Sequence, residues 1–314
     1  MRSLRSVCLA LSVIALSVFA APAHSENRIT IIVDAFGPSS DLRQDWGYSA
    51  LIEHAGKRIL FDTGNNADLF AENSALLGVD LRRLDFVVIS HRHGDHTDGL
   101  HHLLKINPRI KIYTANDEYF GGPTPAAFFQ RSVPSLPERM RYFGGEVPQN
   151  IPHGSPWKHA NLERVYGVLE IAPGVRLVNN RARTGPFSET PELSLAIDTP
   201  EGQLLFVGCS HPGIEQILGS VNAMEDPVRL VVGGLHLVTT DDAEIERLAI
   251  ALRDDWKVTA VAPGHCTGEA AFAALQRAYD RRYVYAGVGT VIDVPTSSGH
   301  GTPEYAGSSG AGAQ

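Results

Sequence analysis

The sequence predicts an α/β domain in which two mixed β-sheets pack together and helices cover the outside. Short apolar runs rich in β-branched residues alternate with helical stretches, and a cluster of strands opens each half of the chain. The 314 residues, of which 43% are hydrophobic and 20% charged, are enough for one large domain or two small ones. This pattern alone does not distinguish two packed sheets from a doubly wound fold.

The predicted elements follow the apolar runs and the turn residues between them. In the first half we expect strands at 28–35, 48–53, 58–61, 85–89 and 110–114, the second and third forming a hairpin around Gly56. In the second half we expect strands at 175–178, 193–197, 204–207, 230–232 and 258–262. Helices are expected at 66–77, 98–105, 214–221, 242–252 and 268–280.

Residues 1–25 have the features of a secretory signal. Two arginines precede an apolar stretch at 7–20, and small residues follow it. Because the stretch is short for a membrane-spanning helix, we expect cleavage near His24 or Glu26. The mature protein is then periplasmic or secreted, with no stable membrane span; an uncleaved anchor is the alternative.

The expected mature chain is acidic. Cleavage removes two arginines and no acidic residue, so the formal net charge changes from -8 to -10. A chain with this charge has no general attraction for nucleic acid or for an anionic membrane, although a local basic pocket can still bind an anion. We therefore expect a small-molecule substrate and no nucleic-acid partner.

A histidine-rich turn follows the apolar run at 86–89. It contains His91, His93, Asp95 and His96 within six positions. Neutral imidazoles and carboxylates are usual ligands of zinc and similar divalent ions, which activate water near neutral pH. In an extended turn His91 and His93 point the same way, whereas Asp95 and His96 turn toward a second point nearby. The turn therefore predicts one or two metal sites at a strand end.

Four further strand ends carry side chains suited to the same centre. Asp62 follows the third strand, where it either caps the turn or hydrogen-bonds to an imidazole that binds metal. Cys209 and His211 follow a later strand, and His265 follows the last one. His236 follows another strand. Four roles are open to it: metal ligand, proton donor, substrate contact or buried structural histidine.

Two cysteines remain after residues 1–25, and each lies close to a histidine of the predicted centre. They are Cys209 and Cys266. In a compartment that permits disulfides, a thiolate ligand, a disulfide and two idle thiols are all open. We favour idle thiols, or one thiol near the metal, because spacing alone does not establish the geometry of a bridge.

Residues 116–165 differ in composition from the rest of the chain. They contain too many prolines for a regular sheet or long helix and too many aromatic residues for simple disorder. We expect a lid or binding loop that selects the substrate, with a packing insertion or an oligomer contact as the alternative. The tail at 296–314, rich in Gly, Ser and Ala, is expected to be disordered, which leaves 26–295 as the folded domain.

Together the strand-end motifs resemble the metallo-β-lactamase superfamily. His-x-His-x-Asp-His after a hydrophobic strand is similar to its signature, and Pro-Gly-His at His265 matches its late ligand. Asp-Thr-Gly, Glu-Leu-Ser-Leu, Gly-Cys-Ser-His-Pro-Gly, Gly-Gly-x-His-Leu and Gly-His-Cys-Thr-Gly resemble one branch, the proteins related to 7,8-dihydropterin-6-methyl-4-(ribofuranosyl)aminobenzene-5'-phosphate synthase. The likeness covers about residues 28–294. It implies an αββα four-layer sandwich with the metals at one edge between the sheets.

The resemblance also indicates which histidine completes the ligand set. The superfamily generally has a histidine upstream of the position that Cys209 occupies, and Cys209 itself stands where a bridging Asp or a Cys is usual. His153 and His159 lie in the Pro-rich segment and do not follow a strand. His211 is therefore expected to supply the missing nitrogen.

The expected function is that of an exported metal-dependent hydrolase. The six expected ligands form two sets of three, His91, His93 and His211 for one ion and Asp95, His96 and His265 for the other. Cys209 lies nearby, and Zn²⁺ is the expected ion, with Mn or Fe also compatible. Activated water would attack an ester, lactone or phosphoester, Asp95 would accept the proton, and His236 would protonate the leaving group or bind the substrate.

Two other functions remain compatible with these motifs. One is a synthase-like transferase in which the metals organise a diphosphate leaving group. The export signal argues against it, because synthesis of that kind is cytoplasmic. The other is a noncatalytic protein that uses the metal pocket to bind a ligand.

Overall fold

The chain folds into two mixed β-sheets that face each other. The structure is a computed structural model that describes residues 27–38, 40–117, 131–147, 157, 160–183, 190–222, 227–294 and 307–309. The strands are β1 (Arg28–Val33), β2 (Ser49–His54), β3 (Lys57–Phe61), β4 (Phe86–Ile89), β5 (Lys111–Ala115), β6 (Asn161–Val165), β7 (Val168–Ala172), β8 (Val175–Arg181), β9 (Pro191–Thr199), β10 (Gly202–Val207), β11 (Val228–Gly234), β12 (Ala260–Gly264), β13 (Thr290–Asp293) and β14 (Gly307–Ser309).

Both sheets combine parallel and antiparallel neighbours. The larger has eight strands in the order β14-β13-β1-β2-β3-β4-β5-β6, and the smaller has six in the order β12-β11-β10-β9-β8-β7. Strands β3 to β6 are parallel to one another, as are β10 to β12. The two separate sheets exclude the doubly wound alternative.

Helices cover the outer face of each sheet. They are α1 (Ala67–Leu76), α2 (Gly94–Thr97), α3 (Leu100–Ile106), α4 (Ile214–Asn222), α5 (Asp242–Asp254) and α6 (Glu269–Tyr279). Short 3-10 turns lie at Leu81–Arg83, Glu138–Met140, Tyr142–Gly145, His265–Thr267 and Asp280–Arg282. Helices α1 and α3 pack on the larger sheet, and α4, α5 and α6 pack on the smaller one. The predicted four-layer sandwich is therefore confirmed.

The central strands are buried on both faces, which explains their continuous apolar sequence. In β4, Phe86 and Val88 point into the core between the sheets, whereas Val87 and Ile89 point toward α1 and α3. Strand β10 alternates in the same way between the central core and the helices. These two strands deliver the metal-binding turns, so their burial on both sides fixes where the turns begin.

The hairpin between β2 and β3 has the predicted turn. Ala55 and Gly56 both have positive φ, at 48° and 75°, as a two-residue hairpin turn with the right-handed twist of its strands requires. His54 pairs with Lys57 across the turn. The hairpin returns the chain to the edge of the sheet at which Asp62 lies.

Several parts of the structure differ from the expectation, and strands β7 and β13 were not among the predicted strands. Asn161–Val165, at the end of the segment expected to be irregular, pairs with β5 and extends the larger sheet, because this edge strand contains no proline. Gly307–Ser309, in the tail expected to be disordered, pairs with β13. The helix expected at 98–105 is α3, whereas the histidine turn, expected to be extended, becomes helical at α2 (Gly94–Thr97).

Several predicted segments lie outside the described residues. They include the signal at 1–25 and much of the Pro-rich segment and of the tail. None of the helices in the described part of the chain has the length and apolar character needed to span a membrane.

Phe206 tests the contact between the two sheets. It is fully buried, and its ring centroid lies 6.3 Å from that of Phe61 in the opposite sheet. We expect Phe206→Ala to lower the free energy of unfolding by about 3–5 kcal/mol in denaturant titrations. Leu76→Ala, at a side chain that is 58% exposed, is the matched control and should change it by less than about 1 kcal/mol. Equal losses would contradict the assigned core.

Candidate metal centre

Five parallel strand ends meet at one edge of the sandwich. From the larger sheet, β3 leads to Asp62 and β4 to the histidine turn. From the smaller sheet, β10, β11 and β12 lead to Cys209, His236 and His265. Carboxyl ends of parallel strands are where α/β proteins commonly place ligands, because the chain there leaves the sheet in a turn. The edge therefore collects side chains that are far apart in sequence.

The first donor group contains three imidazoles. A ring nitrogen from each of His91, His93 and His211 lies within 4.8 Å of the other two. His91 Nε2 is 3.0 Å from His93 Nδ1. The alternate residues of the turn point the same way, as expected, and His211 approaches from the opposite sheet.

The second donor group contains a carboxylate and two imidazoles. Donor atoms of Asp95, His96 and His265 also lie within 4.8 Å of one another. His96 Nε2 is 3.1 Å from His265 Nε2, and Asp95 Oδ2 is 3.5 Å from the same His265 atom. The structure thus brings together the two sets of three that the sequence predicts; their role as metal ligands remains a prediction.

Cys209 lies at the boundary of the two groups. Its Sγ is 3.3 Å from His96 Nε2, and the donor atoms of Cys209, His91 and His96 form another set within 4.8 Å. Both thiols, Cys209 and Cys266, are free and buried, so no disulfide joins them in this structure.

The donor set fits a divalent cation. Burial and the neighbouring imidazoles lower the pKa of His93 to about 2 and hold the pKa of His91 and of His265 well below the ordinary value. These three rings are therefore neutral, the form that binds metal, whereas His96, with a pKa of about 9, carries a proton that a bound ion would displace. Buried nitrogen atoms face one another at 3.0 and 3.1 Å, an arrangement that an ion between them would stabilise. Imidazole and carboxylate donors in sets of three are typical of zinc.

Asp62 orients one of these imidazoles. Its Oδ2 lies 2.7 Å from His96 Nδ1, and the same carboxylate accepts hydrogen bonds from the backbone N–H and the hydroxyl of Ser90, each at 2.7 Å. Burial opposes charge on His96, but Asp62 and Asp95 raise its pKa to about 9. Of the two roles left open by the sequence, Asp62 fills the one that supports an imidazole, and it anchors the turn as well.

Glu192 supports His211, a role that the sequence did not reveal. Its carboxylate accepts the backbone N–H groups of Cys209, Ser210 and His211 at 2.7 to 2.8 Å, and it lies 3.0 Å from His211 Nδ1. Burial alone would raise the pKa of Glu192, but the hydrogen bonds to His211 and to Ser210 lower it to about 2. One ionised carboxylate therefore fixes the whole turn.

The strand register explains this position of Glu192. Leu195 pairs with Phe206 in the antiparallel β9–β10 pair. Glu192, three residues before Leu195, therefore faces Cys209, three residues after Phe206. The available signal was the Glu-Leu-Ser-Leu motif, which places an acidic residue at the start of strand β9.

Asp34 supports His265 in a similar way and was also missed. It is fully buried, and its two oxygens lie 3.0 and 3.2 Å from the backbone nitrogen of His265. The two residues are 231 positions apart, so no local pattern connects them. Burial raises the pKa of Asp34 well above the ordinary value, although hydrogen bonds from the backbone N–H groups of His265, Ala35 and Phe36 oppose the shift.

The ligand-bearing turns are strained. Asp62, Ser210, His236 and His265 have positive φ angles of 57°, 62°, 52° and 49°, a region that side chains other than glycine rarely adopt. Such residues concentrate at functional sites, where the surrounding structure holds them in place. The buried carboxylates supply that restraint here.

His236 lies beside the first donor group. Its ring centroid is 4.6 Å from that of His211. Burial and the neighbouring His211 lower the pKa of His236 to about 3, so its ring is neutral near pH 7. Of the roles left open by the sequence, proton donation is the least compatible with a neutral ring. His153 and His159 lie outside the described residues.

Glu192→Gln tests the support of His211. The substitution keeps the shape of the side chain but removes the charge and one acceptor oxygen. We expect the affinity for Zn²⁺, measured by competition with a chromogenic chelator, to fall by about 10–100-fold while the fold is retained. Glu170→Gln is the matched control, because Glu170 also accepts a backbone N–H but lies in an exposed setting. Unchanged affinity in Glu192→Gln would contradict the assignment.

Comparisons with known proteins agree with this geometry. The family model described as the metallo-beta-lactamase superfamily matches residues 42–265. The 7,8-dihydropterin-6-methyl-4-(beta-D-ribofuranosyl)-aminobenzene-5'-phosphate synthase of Methanocaldococcus jannaschii is 30% identical over 264 residues, which cover 76% of this chain and 86% of the synthase. An uncharacterized protein of the same organism is 27% identical over 270 residues, which cover 79% of this chain and 93% of that protein.

Solved structures give the same result. The crystal structure of Tm1679, described as a metal-dependent hydrolase of the beta-lactamase superfamily, superposes with a TM-score of 0.63 and 26% identity, covering 85% of this chain and 99% of that chain. The metallo-beta-lactamase fold protein YhfI from Bacillus subtilis shares the fold, with a TM-score of 0.50, 12% identity and coverage of 84% and 98%. The predicted superfamily is therefore confirmed: this chain belongs to the metallo-β-lactamase superfamily.

Proposed function

We propose that the protein is an exported hydrolase that uses one or two divalent ions, with Zn²⁺ preferred, to cleave an ester, lactone or phosphoester. The observation that carries the proposal is the pair of adjacent donor groups, each with three protein ligands within 4.8 Å. Three protein ligands leave a coordination position for water or substrate, as in catalytic zinc sites. Ions bound there would supply an activated water and a Lewis acid for the developing oxyanion.

Side chains of this protein hold the ions and the substrate in place and transfer the proton. His91, His93 and His211 hold the first position, and the carboxylate of Glu192 keeps His211 in place. The two donor groups adjoin, because the ring centroids of His91 and His96 are 4.2 Å apart. A substrate that reaches both groups is therefore held in one orientation while water approaches it.

Asp95 is the residue that we assign to proton transfer. Its Oδ2 lies 3.5 Å from His265 Nε2 and 3.9 Å from His96 Nε2. Its side chain is only 9% exposed, so it contacts the metal centre and little solvent. The carboxylate can take a proton from the attacking water and pass it to the leaving group. The neutral ring of His236 makes it a poor alternative for the second step.

Similarity to one protein favours hydrolysis, and similarity to another favours a transferase. The metal-dependent hydrolase Tm1679 shares 26% identity over 85% of this chain, which favours hydrolysis. The synthase of Methanocaldococcus jannaschii shares 30% identity over 76% of this chain, which favours a synthase-like transferase. The signal-like residues 1–25 favour an exported hydrolase over a synthase, because a pterin precursor would be found in the cytoplasm.

Metal analysis together with a substrate panel tests the proposal. The full chain, expressed so that export can occur, is loaded with Zn²⁺, assayed for metal content and offered nitrophenyl esters, lactones and phosphodiesters. We expect hydrolysis of at least one class, and we expect His93→Ala to lower kcat/KM by about 100-fold or more, since it removes a ligand from the ion that activates water. The location of the mature chain is read from cell fractions.

His54→Ala is the matched control for His93→Ala. His54 ends β2 at the hairpin, while Asp62 and the metal-binding turns lie at the opposite end of the neighbouring strands. Activity should survive in this variant. Metal content and activity that both survive in His93→Ala would contradict the site. A metal-loaded protein that turns over no member of the panel would favour the noncatalytic ligand binder, and displacement of diphosphate would favour the transferase.

A further inference from the structure

A third donor group lies next to the two groups described above, and it contains sulfur. The Sγ atoms of Cys209 and Cys266 and a ring nitrogen of His236 all lie within 4.8 Å of one another. Both cysteines are free thiols; Cys209 is 3% exposed and Cys266 is fully buried. Cys266 and His236 belong to neither of the hydrolytic donor groups. This set is therefore chemically distinct from both of them.

The sheet brings the two sulfurs together across an intervening strand. Cys209 follows β10 and Cys266 follows β12, while β11 lies between them and ends at Gly234. A Cβ atom at Gly234 would lie 2.8 Å from Cys266 Sγ and 2.4 Å from the carbonyl oxygen of Gly208. The absence of a side chain at Gly234 therefore leaves the space in which the thiol of Cys266 approaches Cys209.

Further contacts fix the sulfur atoms relative to each other. Cys266 Sγ lies 3.7 Å from the carbonyl oxygen of Cys209, and the two sulfur atoms lie within 4.8 Å of each other. A ring nitrogen of His236 lies within 4.8 Å of both sulfur atoms. His236 adopts a φ of 52°, so its turn is held in an uncommon conformation beside both thiols.

We propose that Cys209, Cys266 and His236 form a third metal site, which binds a thiophilic divalent ion such as Zn²⁺. Two thiolates and one imidazole are a ligand set that zinc accepts, with one position left for another ligand. Thiolates select zinc over magnesium, calcium and manganese, which prefer oxygen. Binding replaces the two S–H protons with bonds to the ion and releases both protons to the solvent, without any change of oxidation state.

The thiol of Cys209 connects the third donor group to the second hydrolytic donor group. Cys209 Sγ is 3.3 Å from His96 Nε2, so it reaches the second hydrolytic group as well as the third group. A thiolate can bridge two ions in such a position, which reduces the repulsion between them. The third ion would hold the turns after β10, β11 and β12 together.

Cobalt substitution tests the site by spectroscopy. Metal-free full-length protein, kept reduced with a phosphine, is titrated with Co²⁺, and the near-ultraviolet sulfur-to-cobalt charge-transfer band is recorded. We expect a band from two thiolates, and we expect Cys266→Ser to lose about half of its intensity, since one of two sulfur ligands is removed. His236→Ala should keep the band but weaken cobalt binding by about 10-fold or more, since an imidazole ligand is lost.

Two further variants distinguish the third site from the hydrolytic donor groups and from a general loss of structure. Ser74→Ala changes one buried atom in α1, on the outer face of the larger sheet, and should leave the band unchanged. His93→Ala should also retain the band, because His93 is not part of the third group. A two-thiolate band in a protein without hydrolytic activity would support the third site and reject the proposed function. Absence of the band, or its full intensity in Cys266→Ser, would overturn the inference.

Discussion

Buried carboxylates that hold imidazoles and backbone turns are the interaction on which this centre depends. Asp62 supports His96, Glu192 supports the turn that carries His211, and Asp34 supports the backbone of His265. Leaving such buried groups without a partner costs about 1–3 kcal/mol each, and more when the group is charged. The carboxylates are therefore essential to a polar site in the interior of a sandwich.

Other close contacts join the two sheets at the edge that contains the metal centre, in addition to the contact between Asp34 and the backbone of His265. Asp62 and Ser90 belong to the larger sheet, and a Cβ at Gly208 of the smaller sheet would lie 2.1 Å from Ser90 Oγ. The backbone N–H of Leu193 donates to the carbonyl of Ser90 at 2.7 Å. This close approach lets donors from both sheets reach common points, and it explains why strained backbone is concentrated there.

The strands and the donor-bearing turns could be predicted from local signals in the sequence, whereas the four layers and the choice of His211 followed from the resemblance to the superfamily. Continuous apolar runs indicate strands buried on two faces, and histidines placed directly after them indicate a shared edge. The roles of Glu192 and Asp34 depend on strand register and on contacts between distant segments, so no spacing reveals them. Strand β6 was missed because an edge strand, partly open to solvent, keeps polar and charged residues.

The position of bound ions tests the central claim most directly. Diffraction data collected at the zinc absorption edge from crystals of the Zn²⁺-loaded protein would locate each ion independently of activity. We predict anomalous peaks at both hydrolytic donor groups, one among His91, His93 and His211 and one among Asp95, His96 and His265, about 2.0–2.3 Å from the donor atoms. Absence of peaks at both groups, with zinc found only elsewhere on the protein, would contradict the assigned centre.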